Sequence, residues 1–188
     1  LGLIGFGRIG RSVAEKAVGL SMDVIYYDPD PELEEAGNPA IARRVSLDEV
    51  IRESDFVSLH APLNSENEML VDKNFLEEMK PSACLINCAR GGLIDHGALH
   101  TALREGTIAG AALDVFVPER LPAEHSLLKL DNLIATPHVA FYSAESVQEL
   151  QRRASMNVAA ILGGRHPEAL VNPEVLERRR WQHLVPGG

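Results

Sequence analysis

The sequence predicts an α/β fold, a doubly wound parallel sheet with helices on both faces. Three observations predict it. Short apolar runs alternate with stretches of helical periodicity along most of the 188 residues. A glycine-rich turn stands between the first apolar run and the first helical stretch. The charged residues best suited to chemistry come just after apolar runs, and ligands of doubly wound sheets bind beyond the carboxyl ends of the strands.

The first half of the chain yields four predicted strands. Each is a short run of aliphatic or β-forming residues that stops at a glycine, a proline or a polar residue. They cover residues 1–5, 23–28, 41–45 and 55–60. Apolar residues recur at helical spacing from Ile9 to Ala17 and predict a helix that ends near Gly19. The prolines in residues 29–40 predict a loop.

The second half continues the alternation of helices and strands. Ser46 and Ser65 each stand three residues before a glutamate, the spacing of a capping box that starts a helix. Further helices are predicted over 72–80, from Asp95 to Gly106, and over 143–162, and further strands over 83–88, 108–114 and 133–136. We therefore expect a dinucleotide-binding domain over 1–142, followed by a C-terminal helix and tail over 143–188.

Residues 5–10 carry a glycine motif with a known mechanical purpose. Gly5, Gly7 and Gly10 form the pattern G-x-G-x-x-G between a predicted strand and a predicted helix. The first glycine permits a tight turn, the second lets the backbone approach a pyrophosphate, and the third lets the helix pack closely on the sheet. The helix N-terminus then offers its N–H groups to the phosphates. The context favours a dinucleotide site over an ordinary strand–turn–helix.

Asp28 ends the second predicted strand and indicates which dinucleotide is bound. In such folds a carboxylate at this position accepts hydrogen bonds from the ribose hydroxyls of adenosine. Asp28 would repel a 2′-phosphate, and no arginine or lysine follows until Arg43. The sequence therefore predicts NAD, and not NADP, as the cofactor.

Three charged residues follow later strands. Arg90 comes just after the 83–88 strand, Glu119 follows the 108–114 strand, and His138 follows the last strand. An arginine can bind a carboxylate with its planar fork, and a histidine can exchange a proton near neutral pH. A carboxylate beside the histidine would orient its ring. Together the three suit hydride chemistry on a 2-hydroxy acid, although each alone could be an exposed loop charge.

The chain resembles the D-isomer-specific 2-hydroxyacid dehydrogenases from residue 1 to about residue 175. Besides the glycine turn, the motifs that carry the resemblance are YDP at 27–29, LHAPLN at 59–64, INCARGGLID at 86–95, GAALDVFVPE at 110–119 and ATPHVAFYS at 135–143. The last stretch is most similar to the branch that includes the C-terminal-binding-protein corepressors. The resemblance implies an NAD-binding Rossmann fold and an NAD-dependent oxidoreductase that interconverts D-2-hydroxy acids and 2-keto acids.

The resemblance also implies a role for each matching residue. Arg90 would bind the substrate carboxylate and carbonyl, His138 would be the acid and base, and Glu119 would be its partner. Asp114 would sit near the nicotinamide ring. Cofactor contacts are expected at matching positions in the motifs: Gly5, Gly7, Arg8, Ile9, Gly10, Asp28, Ala61, Pro62, Asn64, the backbone of Cys88 and Ala89, Arg90, Asp114 and His138.

In the family the larger part of the substrate domain precedes the glycine turn, and the chain returns to it through a long helix. We therefore expect this chain to lack that upstream part, to hold NAD, and to turn over little by itself. Family members usually form homodimers through this domain, so a homodimer is expected. An NAD-sensing, corepressor-like interaction module is the alternative from another functional class, and a remnant that merely folds is a third.

Composition excludes several other classes of protein. Lysine and arginine total 18 against 27 aspartates and glutamates, a net charge of −9, which argues against a nucleic-acid or anionic membrane surface. Two cysteines are too few for a disulfide framework and favour a cytoplasmic protein. We expect Cys84 and Cys88 to be core thiols without a metal, His60 to be structural, and the remaining histidines to be solvated: His96, His100, His125, His166 and His183.

Overall fold

A computed structural model describes residues 1–30, 40–178 and 181–184 of the chain. By their internal contacts these residues form two compact units, Leu1–Ala140 and a second unit that begins at Phe141. Most of the loop predicted over 29–40, and two of the three successive arginines at 178–180, lie outside the described residues.

The first unit is built on a sheet of seven parallel strands in the order β3-β2-β1-β4-β5-β6-β7. Every pairing between neighbouring strands is parallel. The strands are β1 (Gly2–Ile4), β2 (Ile25–Tyr27), β3 (Arg43–Arg44), β4 (Phe56–Leu59), β5 (Cys84–Asn87), β6 (Gly110–Leu113) and β7 (Leu133–Ala135). The chain winds outward from β1 through β2 and β3, then returns to start β4 on the other side of β1. This reversal leaves a crevice at the carboxyl ends of β1 and β4.

The doubly wound sheet confirms the predicted fold class, and all seven predicted strands are present. Each is shorter than predicted, and β3 is reduced to Arg43–Arg44. The difference arises because apolar residues at the ends of a run leave the ladder to enter the loops, where they still pack. Strand propensity does not predict at which residue the hydrogen bonds between neighbouring strands end.

Four helices connect the strands of the first unit: α1 (Arg8–Gly19), α2 (Leu47–Glu53), α3 (Lys73–Glu78) and α4 (His96–Glu105). Their caps follow from the sequence. Ser46 Oγ accepts the Glu49 N–H at 3.2 Å at the start of α2. Asp95 Oδ1 accepts the N–H groups of Gly97 and Ala98 at the start of α4. Gly106 ends α4 at a φ of +72°, a conformation that glycine adopts without strain.

The helix start predicted at Ser65 is wrong. Residues 65–69 form a turn, in which Asn64 Oδ1 accepts the N–H groups of Glu66 and Asn67. Helix α3 begins later, at Lys73, where Asp72 Oδ1 accepts the Phe75 N–H at 2.9 Å. The Asn64 side chain accepts backbone N–H groups and so stabilises a turn in place of a helix. Asparagine side chains commonly compete in this way with helical hydrogen bonds.

The core lies on the two faces of the sheet because successive residues of a strand point to opposite sides. Leu3 is fully buried against α1, in a small cluster that includes Phe6 and Tyr26 stacked at 3.7 Å between ring centroids. Ile4 and the buried apolar residues of β4 and β5 belong to the larger cluster, packed against α2, α3 and α4. Packing on both faces fixes the carboxyl ends of the strands, which carry the predicted site.

The second unit contains one long helix, α5 (Ala144–Leu162), and a short 3-10 turn at Pro173–Glu177. Ser143 and Ser146 cap α5 reciprocally, each side-chain oxygen accepting the other residue's backbone N–H. None of the residues of α5 is buried. Among the described residues, no helix is both long and apolar enough to cross a membrane.

Candidate functional site

The glycine turn has the tight geometry that its motif predicts. Gly5 has a φ of +95°, and a Cβ there would lie 2.6 Å from the Ala61 backbone nitrogen. A Cβ on Gly10 would lie 2.4 Å from the Gly5 carbonyl oxygen, closer than atoms pack. A Cβ on Gly7 would meet no atom within 4 Å. Gly7 also caps α1 without a side chain, so the space above the helix N-terminus stays open for a ligand.

This contrast gives a matched pair of substitutions. Gly10→Ala should lower the free energy of unfolding by about 1–3 kcal/mol, because it overpacks the turn. Gly7→Ala should leave the free energy of unfolding nearly unchanged. It should weaken NADH binding, because the added methyl group enters the open space at the N-terminus of α1. Urea unfolding and calorimetric titration with NADH measure the two effects. Equal stabilities for the two variants would contradict the assignment of Gly10 to packing.

Asp28 is buried, with 8% of its surface exposed, although it is charged. Its Oδ2 accepts the Phe6 N–H of the glycine turn at 2.6 Å, and its Oδ1 accepts the Asp30 N–H at 2.9 Å. The carboxylate therefore fixes the turn as well as lying at the predicted ribose position. Arg44 donates to the Asp28 carbonyl oxygen at 2.7 Å. The sequence interpretation did not foresee this cation beside Asp28, because Arg44 comes from another strand.

Two cavities flank the end of β4 and share His60, Ala61 and Pro62 in their walls. The smaller has a volume of about 480 Å³ and includes Gly5, Gly7, Asp28 and Asn64. The larger has a volume of about 850 Å³ and runs along α1 from Leu1 and Phe56, at the amino ends of β1 and β4, to the carboxyl ends of the strands. There it is lined by Ile9, Cys88, Ala89, Arg90 and Ala140. An extended dinucleotide needs two such spaces joined across a glycine turn, so the residues present fit NAD.

The sequence interpretation missed several residues that line the smaller cavity. Tyr27, Pro29, Leu47 and Leu70 give it an apolar wall suited to a flat aromatic base. Tyr27 and Pro29 belong to the YDP motif and could have been found from it. Leu47 and Leu70 carry no sequence signal of this role, because their approach depends on how α2 and the turn before α3 pack.

Arg90 stands in a loop that a buried amide organises. Asn87, fully buried at the end of β5, accepts the Ala89 N–H and donates to the Arg90 carbonyl oxygen, both at 2.9 Å. The Arg90 side chain is exposed and donates to the Ala89 carbonyl oxygen at 2.7 Å. Asn87 was not singled out from the sequence, although a buried asparagine just before a loop is typical of such an anchor.

Asp114 organises the loop 136–140 that carries His138. Its buried carboxylate accepts hydrogen bonds from the Thr136 hydroxyl and from the N–H groups of Val139 and Ala140. Burial alone would raise the pKa of Asp114, but these three donors outweigh it and hold the pKa below the usual value. The structure thus places Asp114 under the loop as its anchor; the predicted contact with nicotinamide stays a prediction.

His138 and Glu119 are brought together, 19 residues apart in the chain. His138 Nδ1 is hydrogen-bonded to Glu119 Oε1. His138 has a φ of +57°, in the left-handed region that histidine adopts rarely. The Asp114 carbonyl accepts its N–H at 2.8 Å. The backbone and Glu119 thus both fix the orientation of the ring.

Arg90 and Ala140, the last residue of the His138 loop, both line the larger cavity. His138 and Glu119 themselves line a different cavity, of about 720 Å³ on the side of β7, together with Arg120. The carboxyl ends of β5, β6 and β7 are in register, which brings these loops to one edge of the sheet. Within the part of the chain that the structure describes, no group of three potential ligands could hold a metal.

Several predictions about other side chains are wrong. Cys84 is half-buried and Cys88 is exposed, so the latter is no core thiol. Burial and Asp114 raise the pKa of Cys88, which keeps it protonated. Most of the histidines expected in solvent are half-buried instead: His96, His100, His125 and His166. The reason is that helix and loop packing covers side chains that stand isolated in the sequence.

His60 lies between the two cavities, with its Nε2 3.0 Å from the Ser58 hydroxyl. Burial lowers its pKa below the ordinary 6.5. The unfolded chain therefore takes up a proton first as the pH falls, and stability is lost from about pH 6.5 downward. In urea unfolding, the free energy of unfolding should fall less between about pH 7.5 and pH 5.5 in His60→Gln than in the wild type. The same change at the exposed His183 should leave this fall as it is in the wild type. An unchanged slope in His60→Gln would contradict the prediction.

The comparisons with known proteins agree with this geometry. The profile of the D-isomer-specific 2-hydroxyacid dehydrogenase NAD-binding domain matches residues 1–140. A glyoxylate reductase from Thermofilum pendens is 42% identical over 179 residues, which are 95% of this chain and 53% of the relative. A glyoxylate/hydroxypyruvate reductase B from Pectobacterium carotovorum is 43% identical over 178 residues, 94% of this chain and 55% of the relative.

Solved structures give the same result. The NAD complex of a D-isomer-specific 2-hydroxyacid dehydrogenase from Lactobacillus delbrueckii ssp. bulgaricus superposes with a TM-score of 0.80 at 39% identity. The match covers 91% of this chain and 55% of that structure. The chain thus spans about half the length of the relatives it matches.

These relatives are reductases and dehydrogenases by name, so the corepressor-like alternative finds no support in them, and the specific resemblance to the corepressor branch stays a prediction. The chain belongs to the D-isomer-specific 2-hydroxyacid dehydrogenase family, and its residues 1–140 are the NAD-binding domain of that family.

Proposed function

We propose that this chain supplies the cofactor site and the proton-transferring residues of an NAD-dependent oxidoreductase that interconverts a small 2-keto acid and a D-2-hydroxy acid. One observation carries the proposal: His138, hydrogen-bonded to Glu119, stands on the loop that Asp114 anchors, at the same edge of the sheet as Arg90. A hydrogen bond with only a structural purpose would not need a histidine at a positive φ or a buried carboxylate beneath its loop.

His138 acts as the acid and the base in this proposal. Glu119 holds Nδ1, so that Nε2 faces the substrate and donates a proton to the carbonyl oxygen during reduction. In the oxidative direction, Nε2 accepts the hydroxyl proton. NAD, when bound, accepts or supplies the hydride.

Arg90 binds the substrate. Its guanidinium offers paired N–H donors that match a carboxylate, and the same charge stabilises the carbonyl oxygen as negative charge develops on it. The hydrogen bonds of Asn87 hold the backbone from which this side chain extends. Arg90 thereby sets the distance between the substrate and the nicotinamide side of the larger cavity.

The cofactor is held by the two cavities and the glycine turn. The N–H groups at the start of α1, among them those of Arg8 and Ile9, would bind the pyrophosphate in the open space at Gly7. Gly5 and Gly10 give the turn its shape, and Asp28 would accept hydrogen bonds from the ribose hydroxyls. Asn64 and the backbone at Ala61 and Pro62 border the adenosine half. Cys88 and Ala89 border the nicotinamide half, with Asp114 beneath the adjoining loop.

A graft tests the activity. Residues 1–180 of this chain would replace the matching segment of the Thermofilum pendens glyoxylate reductase, with which it is 42% identical. The chimera should oxidise NADH with glyoxylate, a small 2-keto acid, and less rapidly with bulkier 2-keto acids. A chimera that binds NADH but reduces none of these acids would overturn the proposed function.

The 188-residue chain alone should bind NADH and show little turnover, because the relatives extend over about twice its length. Steady-state assays with pyruvate, hydroxypyruvate and glyoxylate check this expectation. Robust turnover by the isolated chain would contradict it.

Two further expectations complete the proposal. We propose a cytoplasmic protein, which the two unpaired cysteines support. We also propose a homodimer, because members of the family usually form homodimers through this domain. Light scattering of the purified protein should give twice the mass of one chain, and a monomer at micromolar concentration would contradict the dimer.

A further inference from the structure

The segment 62–71, which we call the asparagine turn, is held in shape by two asparagines. Asn67 Oδ1 accepts the Asn64 N–H at 2.8 Å, and Asn64 Oδ1 accepts the Asn67 N–H at 3.1 Å. The side-chain amide of Asn67 also donates to the Pro62 carbonyl oxygen at 2.7 Å. The half-buried Asn67 side chain therefore ties the start of the asparagine turn to its middle.

The asparagine turn is also hydrogen-bonded to the loop that carries Arg90. The Met69 N–H donates to the Gly92 carbonyl oxygen at 2.8 Å, and the Val71 N–H donates to the Leu93 carbonyl oxygen at 2.9 Å. The N–H of Leu93 in turn donates to the Arg90 carbonyl oxygen at 3.2 Å. The asparagine turn is therefore only two hydrogen bonds away from the backbone of Arg90.

The backbone of Met69 indicates that these contacts determine the local conformation. Met69 has a φ of +52°, in the left-handed region that costs free energy for a residue with a side chain. Its side chain is 56% exposed, so burial of the side chain offers little compensation. Such backbone conformations persist only where the surrounding structure imposes them. Here the surrounding structure is the closed asparagine turn on one side and the hydrogen bond to Gly92 on the other.

The same asparagine turn lines the smaller of the two cavities beside β4. Asn64, Asn67 and Leu70 all stand in the wall of that cavity. Arg90 lines the larger cavity, on the nicotinamide side of the proposed cofactor site. One short segment thus borders the adenosine half of the cofactor site and braces the backbone of the arginine that binds the substrate in our proposal.

We propose that Asn67 is a positioning residue, which closes the asparagine turn and thereby fixes the backbone from which Arg90 extends. This proposal rests on the proposed function only for what Arg90 binds. Asn67 acts through the hydrogen bonds of Met69 and Val71, and it takes no part in the transfer of the hydride or the proton. Its amide is needed because the turn must keep one shape for those two N–H groups to reach the loop.

Amide hydrogen exchange of the 188-residue chain, measured by NMR, tests the positioning. The Leu93 amide reports on the loop of Arg90, because it is hydrogen-bonded to the Arg90 carbonyl oxygen. The amide of Leu85, a fully buried residue of β5, reports on the stability of the whole fold. The rate for Leu93 divided by the rate for Leu85 therefore measures opening of the loop alone.

Two variants that each remove a side-chain amide are compared with the wild type. Asn67→Ala removes the acceptor and the donor that close the asparagine turn. Asn132→Ala is the matched control, because the Asn132 amide also donates to backbone carbonyl oxygens, at 3.1 and 3.3 Å, but just before β7 at the amino ends of the strands.

The ratio of exchange rates should be about tenfold higher in Asn67→Ala than in the wild type, because the loop loses the support of the asparagine turn. The ratio in Asn132→Ala should equal that of the wild type. An unchanged ratio in Asn67→Ala, or an equal rise in both variants, would overturn the proposal.

Kinetics of the grafted enzyme test the consequence for Arg90. Asn67→Ala should raise the KM for glyoxylate about tenfold and lower kcat by less, because Arg90 holds the carboxylate of the substrate. Asn132→Ala should leave both constants unchanged. A fall in kcat with an unchanged KM in Asn67→Ala would also overturn the proposal. A graft that is inactive without any substitution would count against the proposed function, and the exchange ratio would then decide the positioning by itself.

Discussion

Replacement of His138 by asparagine should lower the rate of glyoxylate reduction in the grafted enzyme by about 10²- to 10⁴-fold, the contribution of a positioned acid and base. Asparagine is chosen because it tolerates the left-handed backbone that His138 adopts at φ +57°. The loop should thus keep its shape while the proton donor is lost. Stopped-flow oxidation of NADH gives the rate, and calorimetry should show NADH affinity unchanged.

Glu119→Gln is the matched control for this prediction. It keeps the size of the side chain and a hydrogen bond to His138 Nδ1 but removes the carboxylate beside the ring. The rate should fall by less than in His138→Asn. A His138→Asn enzyme that retains the wild-type rate would remove His138 from the chemistry, and a loss of NADH affinity in that variant would show that the change acts on the cofactor site instead.

Asp114→Asn should damage both the fold and the activity. One of the two carboxylate oxygens becomes an amide that meets the Ala140 N–H donor, so a charged hydrogen bond is lost and a buried donor is left unsatisfied. We expect the free energy of unfolding to fall by about 2–4 kcal/mol. The change should also displace His138 and lower the rate of glyoxylate reduction by about 10²-fold, because misplacement of a catalytic group by about 1 Å has that effect. Urea unfolding and the NADH assay measure the two losses.

Thr136→Val provides the control at the same carboxylate. It removes one of the three donors to Asp114 and leaves the charge, so the free energy of unfolding should fall by only about 1 kcal/mol. The lowered pKa of Asp114 also sets a pH window. Its stabilisation is complete above the ordinary value of 3.8 and is lost as the pH falls through the lowered value, a loss that Asp114→Asn should remove. Equal stabilities for Asp114→Asn and the wild type would contradict its role as an anchor.

Much of the fold could be predicted from the sequence because it depends on patterns among residues that are close together in the chain. The alternation of strands and helices follows from the periodicity of apolar residues, and the glycine turn follows from spacing that has a steric cause. The structure shows that cause at Gly5 and Gly10, where a side chain would strike neighbouring backbone. Helix starts at Ser46, Asp95 and Ser143 were also predictable, because the capping side chains lie within three residues of the groups they bind.

What the sequence did not show depends on contacts between distant segments. Arg90, Glu119 and His138 could be named as candidates, and the family resemblance implied that Glu119 pairs with His138. The spacing of the residues alone did not show that the loops after β6 and β7 meet. Asn87, which supports the Arg90 loop, could not be identified from the sequence, because the backbone groups to which it is hydrogen-bonded come within reach only in the folded chain. His96 was expected in solvent for the same reason.

The central claim is that the crevice at the glycine turn holds NAD through Asp28, and calorimetric titration of the 188-residue chain with NADH tests it most directly. The wild-type chain should bind one NADH per chain, and Asp28→Ala should bind it at least about tenfold more weakly, because the ribose loses a charged acceptor. Circular dichroism would establish that the variant remains folded. Absence of binding by the wild-type chain, or equal affinities in the two proteins, would contradict the account.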